Sequence, residues 1–241
     1  MPNRHARRAI ASTKKKSAQR HDDLLARGER VPTGLAPLKI PREFLVIADA
    51  VEEALAEWPQ FPPHLDCYRR AAVSTTMLSV ITRRTWHVNA GRFMADSGRE
   101  GGETEMLGWS PERGRREGVL ESHAWSVCLL DRVVSSGFQN MRADRVLIFD
   151  TSSRYLPRSV ELIGGEWKRP VLPLAYGTQR DLRAAGYIYE ADAQASETEL
   201  MFVSQYGDVI EIVARRAMSK YLAAQRESDG RASSRGRPAT P

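Results

Sequence analysis

The order in which helical and strand-like periodicity follow each other is the feature that most restricts how this chain can fold. The segments Pro41 to Glu57 and Asp66 to Thr82 place apolar side chains at helical spacing, and prolines interrupt the chain between them. A run of strand-like segments comes next, and a helical segment at Asp208–Ala224 ends the pattern. Helices followed by strands and a terminal helix predict an α+β fold in which N-terminal helices pack on an antiparallel sheet.

The middle of the chain alternates short apolar runs with turn residues, as a sheet requires. Strands are expected at Thr85–Asn89, Val119–Leu130, Arg145–Phe149, Val160–Ile163, Trp167–Leu172, Tyr187–Glu190 and Leu200–Val203. The Gly164-Gly165 pair suits a hairpin turn, and Thr178–Ala185 is expected to be helical. Residues 95–117 are rich in glycine, arginine and glutamate, which is typical of a long surface loop.

The net charge of +6 lies entirely in the two ends of the 241-residue chain. Residues 1–30 carry nine Lys and Arg against three acids, and residues 226–241 carry four against two, while residues 31–225 are slightly acidic. We therefore expect a basic, disordered tail at 1–30, one α+β domain at 31–225 and a disordered tail at 226–241. A folded face that reads nucleic acid is disfavoured, but the N-terminal tail could bind a polyanion weakly through phosphate contacts.

Composition also bounds the location and the cofactors. Two cysteines, Cys67 and Cys128, cannot form a disulfide framework and suggest a reducing compartment. No apolar run approaches the ~20 residues that cross a bilayer, and no apolar segment follows the basic N-terminus as in a secretory signal. We expect a cytoplasmic protein that makes no membrane contact. The sequence shows no phosphate-binding glycine loop, and no cofactor is predicted.

Three side chains combine into a possible site for nucleophilic chemistry. Cys67 falls at the predicted start of a helix, where unpaired backbone N–H groups and the helix dipole favour a thiolate. His123 lies in a predicted strand, and Asp150 ends the next apolar strand, where its carboxylate could hold the imidazole in one tautomer. A thiolate is a nucleophile for carbonyl carbon, and the backbone N–H of Cys67 could serve in an oxyanion hole.

This arrangement resembles the transglutaminase-like branch of the papain-like cysteine enzymes. The similar stretches are DCYRRAAVSTTMLSVITRRTWHVNAG around the cysteine, SHAWSVCL around the histidine and IFDTS around the aspartate, within residues 60–155. The resemblance implies a papain-like or transglutaminase-like core without cofactor or metal. It also implies that Cys67 is the nucleophile, His123 the general base and acid, and Asp150 the orienting group. The family hydrolyses or transfers acyl groups at amide and thioester carbonyls.

Other interpretations of these residues stay open at this point. Asp131 is a competing carboxylate directly after the histidine strand, and Gln60 lies near the place where papain-like enzymes carry an oxyanion glutamine. Cys128 and His87 are interpreted as structural residues. A metal site at His64, Cys67 and His123 lacks the paired spacings of zinc ligands.

The sequence therefore predicts a thiol-dependent hydrolase or acyltransferase that acts on an amide-type bond of a peptide or similar substrate, through an acyl-enzyme at Cys67. The alternative is a non-catalytic protein on the same fold that binds nucleic acid with its basic tails. Selective alkylation of Cys67 over Cys128 would separate the two.

Overall fold

The structure, a computed structural model, describes residues 29–31, 36–58, 67–98, 106–109, 122–130, 143–162 and 165–235. The helices within these ranges are α1 (Arg42–Ala56), α2 (Cys67–Thr82), α3 (Leu156–Leu162), α4 (Gln179–Ala184), α5 (Ala193–Gln205) and α6 (Gly207–Arg235). The strands are β1 (Glu29–Val31), β2 (Leu38–Ile40), β3 (Trp86–Asp96), β4 (Met106–Trp109), β5 (His123–Leu129), β6 (Val146–Asp150), β7 (Ala175–Thr178) and β8 (Tyr187–Ala191). A 3-10 helix, Thr151–Tyr155, joins β6 to α3.

The main sheet has six strands, and every pairing in it is antiparallel. Its path runs β4-β3-β5-β6-β7, and β8 pairs with the second half of β3. Strands β1 and β2 form a separate antiparallel pair. Mixed helices and an antiparallel sheet agree with the α+β class that the order of periodic segments predicts.

The N-terminal helices pack where their apolar spacing predicts. Helix α1 buries Phe44, whose ring stacks on Tyr176 with 4.3 Å between centroids and tilts against Phe149 at 6.2 Å. Helix α2 is fixed to β5 because the Ser126 hydroxyl donates to the carbonyl of Ala71 at 3.0 Å. Helix α6 covers both helices from outside. The start of α2 is thereby held in place over the sheet.

Several predicted strands are wrong. Val160 belongs to helix α3, where a strand was predicted, and its carbonyl accepts the backbone N–H of Gly165; Ile163 and Gly164 lie outside the described residues. The segment Trp167–Leu172 is irregular, and Leu200–Val203 lies inside α5. Runs of four to six apolar residues fit a buried strand and a buried helix equally well, and tertiary packing decides between them.

Other boundaries also move. Strand β3 extends to Asp96, and β4 lies inside the segment 95–117 that was predicted to be a loop. Helix α6 continues to Arg235, so residues 226–235 are helical where a disordered tail was expected. This segment contains Asp229, Gly230 and three serines, which favour a helix little, so it extends a helix that the packing of the preceding residues has already nucleated. The basic tail at 1–30 falls outside the described residues except for Glu29 and Arg30, which belong to β1.

Candidate active site

Cys67 is the first residue of α2, where the sequence places a helix start. The residue is half-buried, and the first backbone N–H groups of a helix have no acceptor within it. The second cysteine differs in each respect. Cys128 is buried within β5, and burial raises the pKa of its thiol despite the opposing charge of Arg84. The cysteine predicted to be structural is thus the protonated, enclosed one.

His123 connects Cys67 to Asp150. It is the first residue of β5 and only 3% exposed, and its Nε2 lies 2.8 Å from Oδ2 of Asp150. Cys67 lies close enough to the same ring to raise the pKa of His123. Because Nε2 faces the carboxylate, Nδ1 is the nitrogen left for the thiol. The structure therefore brings together the three side chains that the sequence singles out.

The position of Asp150 explains how its carboxylate comes to face the imidazole. It is the last residue of β6, the strand paired with β5, and it caps the 3-10 helix by accepting the backbone N–H of Ser152 at Oδ1, 2.8 Å away. Asp131 lies outside the described residues, as does Gln60. Within the part of the chain that the structure describes, no group of His, Cys, Asp and Glu could hold a metal ion.

Electrostatics make His123 and Asp150 an ion pair. Burial lowers the pKa of His123, but the charge and hydrogen bond of Asp150, with a smaller effect of Cys67, raise it overall to about 10. Burial raises the pKa of Asp150, and His123, Tyr189 and the Ser152 N–H lower it by more, so it lies below its usual value.

Sequence reasoning missed Tyr189, which completes the surroundings of the carboxylate. Its hydroxyl donates to Oδ2 of Asp150 at 2.9 Å from β8, and its ring packs against Trp125. Strand β8 approaches closely because Gly91 faces it: a Cβ at 91 would collide with the carbonyl oxygen of Glu190. The alternation of Tyr187 and Tyr189 along a predicted strand was the available signal, since both are on one face.

Two further contacts near the cysteine were also missed. Tyr68, next to Cys67, hydrogen-bonds through its hydroxyl with Ser122, next to His123. Arg70, in the first turn of α2, makes a bidentate ion pair with Glu52 at 2.9 and 3.0 Å, and the Tyr155 hydroxyl donates to the same carboxylate at 2.7 Å. These contacts tie the first turn of α2 to β5, α1 and the 3-10 helix.

Comparison with known proteins gives little beyond this geometry. No known protein family matches the sequence, and no curated protein matches it. A crystal structure described only as a genomics target is similar with a TM-score of 0.41 and 10% identity, over 75% of this chain and 77% of that one. No helix among the described residues is long and apolar enough to cross a membrane.

Proposed function

We propose that this protein is a cysteine-dependent hydrolase or acyltransferase that acts on an amide-type bond, with Cys67 as its nucleophile. The observation that carries the proposal is the buried His123, whose Nε2 contacts Asp150 and which lies close enough to Cys67 for that side chain to raise its pKa. A histidine between a nucleophile and an orienting carboxylate is the arrangement that thiol-dependent acyl chemistry needs. The core is proposed to be transglutaminase-like or papain-like, as the motifs suggest.

The reaction follows from the roles of these groups. In the reactive form Cys67 and His123 are a thiolate–imidazolium pair, and the Cys67 sulfur attacks the carbonyl carbon of the substrate. The oxygen that gains negative charge accepts a hydrogen bond from the backbone N–H of Cys67, which the helix does not use. The imidazolium gives its proton to the leaving nitrogen as the C–N bond breaks, and a thioester remains at Cys67.

The thioester is then resolved by a second nucleophile. Water or an amine loses a proton to His123 and attacks the carbonyl carbon, and the Cys67 sulfur leaves. Asp150 accepts the Nε2–H of His123 throughout, so that Nδ1 always faces the sulfur. Water as acceptor gives hydrolysis, and an amine gives transfer.

The test uses 4-nitrophenyl acetate, an activated acyl donor, with the full chain. We expect release of 4-nitrophenolate with turnover, and an acetyl group on Cys67 after acid quenching and peptide mass mapping. The variant His123→Ala should lose about 10²- to 10⁴-fold in turnover, because it removes the general base and acid. His87→Ala, on the neighbouring strand with an exposed side chain, is the matched control and should retain turnover.

Two results would contradict the proposal. One is acetylation of Cys128 before Cys67 in the folded protein. The other is an equal rate for His123→Ala and His87→Ala, which would leave Cys67 as an ordinary thiol.

A further inference from the structure

We propose that Tyr189 is a positioning residue for this chemistry, and that its hydroxyl sets the acid limit below which Cys67 loses its reactivity. The inference rests on the proposed function, because it concerns the carboxylate that holds His123. It assigns a role to a side chain that lies on β8, far along the chain from the cysteine and histidine motifs.

The first step is the number of donors around Asp150. Its Oδ1 accepts the Ser152 N–H at 2.8 Å, and its Oδ2 accepts both His123 Nε2 at 2.8 Å and the Tyr189 hydroxyl at 2.9 Å. The residue is 3% exposed, so water has little access to replace a lost donor. All three groups donate to the ionised carboxylate, whereas a carboxyl that carries its own hydrogen would have to break or reverse at least one of these contacts. The site is therefore built for the ionised form.

The second step is that Tyr189 remains a donor in one orientation. Burial, together with the charge of Asp150, raises its pKa well above the usual value, so the phenol keeps its proton. The ring lies between Phe93, at 4.8 Å between centroids, and Trp125, at 5.2 Å. Its backbone carbonyl accepts the side-chain amide of Gln179 at 2.8 Å. The hydroxyl is consequently fixed before any substrate arrives.

The third step is what the loss of this donor would do. With one donor fewer, the ionised form of Asp150 is less favoured, and its pKa rises. When Asp150 takes up a proton, the buried imidazolium of His123 loses its countercharge, and burial then favours the neutral ring beside Cys67. The thiol chemistry should then stop at a higher pH than in the wild type.

The experiment compares Tyr189→Phe with Tyr187→Phe. Tyr187 lies two residues earlier on β8 and is fully buried, but its hydroxyl has no hydrogen-bond partner among the residues that the structure describes. Each variant therefore removes one buried oxygen from the same strand, and only one removes a contact with Asp150. The measurements are the alkylation rate of Cys67 by iodoacetamide as a function of pH, and the midpoint of acid unfolding.

We expect the acid limb of the alkylation profile of Tyr189→Phe to move up by about one pH unit, with a rate about tenfold lower at pH values within that limb. Its acid-unfolding midpoint should move up as well. Tyr187→Phe should match the wild type in both measurements. If the two variants behave alike while the wild type still shows His123-dependent acylation of Cys67, the role of Tyr189 is overturned and the proposed function stands.

If the wild type lacks that acylation, the proposed function falls, and the acid-unfolding comparison still decides whether Tyr189 holds Asp150 ionised. Should Tyr189→Phe fail to fold, 3-fluorotyrosine at 189 keeps the shape and makes the phenol a stronger donor. The acid limb and unfolding midpoint should then move down, and a constant or higher midpoint would overturn the inference.

Discussion

Two buried ion pairs meet the first turn of α2, and they are built alike except for the cation. In one, Asp150 accepts from His123 and from Tyr189. In the other, Glu52 accepts from Arg70 and from the hydroxyl of Tyr155, over whose ring the Arg70 guanidinium lies at 4.6 Å. The 3-10 helix begins at the carboxylate of the first pair and ends at the tyrosine of the second.

The cation decides what each pair can do. An arginine stays charged at every pH at which the protein is folded, so its pair can only hold elements together. A histidine can give up its proton, and its pair can therefore take part in a reaction. The Arg70 pair fixes α2 against α1. The His123 pair faces the half-buried Cys67 at the start of α2. The Arg70 pair is thus a stabilising cluster, whereas the proposed function makes the His123 pair reactive, although both consist of a carboxylate, a cation and a tyrosine hydroxyl.

The largest effect is expected on the free energy of unfolding when the Arg70–Glu52 pair is broken. Arg70→Met leaves Glu52 as a buried carboxylate without its cation and should lower the free energy of unfolding by about 3–5 kcal/mol in urea titrations. The double variant Arg70→Met/Glu52→Leu should recover most of that loss, because no unpaired charge remains. A single variant as stable as the wild type, or a double variant no better than the single, would show that the pair is not a stabilising element.

The second prediction uses pH to separate the pairs. The pKa of His123 is raised from 6.5 to about 10, so the stability it contributes is complete below about pH 6.5 and is lost as pH rises through 10. The lowered pKa of Asp150 makes its contribution complete above about pH 4, and this is lost as pH falls through the folded value. The pair should therefore stabilise most strongly between about pH 4 and 6.5.

The measurement is the difference in unfolding free energy between the wild type and His123→Gln, at pH 6 and at pH 10. We expect this difference to shrink by a few kcal/mol at the higher pH, at about 1.4 kcal/mol for each unit of pKa change. The difference between the wild type and Arg70→Met should be the same at both pH values. A constant difference for His123→Gln would show that its pair does not titrate in this range.

The smallest effect is expected at Tyr155. Tyr155→Phe removes one hydrogen bond to the Glu52 carboxylate at a half-buried position and should cost about 1 kcal/mol in urea unfolding. The pH profile of Cys67 alkylation should stay unchanged, in contrast to Tyr189→Phe. A shift of that profile would mean that the two clusters are coupled through the 3-10 helix.

The sequence predicted those parts of the site that depend on local sequence patterns. Cys67 was expected at a helix start because Asp66 precedes an apolar periodic segment, and β5 and β6 alternate or run apolar over enough residues to be recognised. The parts that the sequence did not predict depend on tertiary contacts. Glu52 is a charged residue on an amphipathic helix, where solvent exposure is the usual outcome, and only the packing of α2 brings Arg70 to it.

The fold shows the same division. Helix α1 and strand β5 were predictable because their periodicity spans several turns or alternations. Val160 and Leu200 lie in segments that are too short for periodicity to distinguish a helix from a strand. Both segments were predicted as strands, and the structure has helices there. The papain-like or transglutaminase-like core and the catalytic roles stay predictions that rest on the motifs.

The sequence separation of the contacts at Asp150 has a consequence for the newly synthesised chain. The residue lies 27 positions after His123 and 39 before Tyr189, so its carboxylate gains a second side-chain donor only after β8 has been made and has paired with β3. Contacts between distant positions form late because loop closure must come first. A nascent chain on the ribosome thus carries Cys67 and His123 long before the surroundings of Asp150 are complete. If the proposed function holds, the order of synthesis delays the assembly of the reactive site until the C-terminal third has folded.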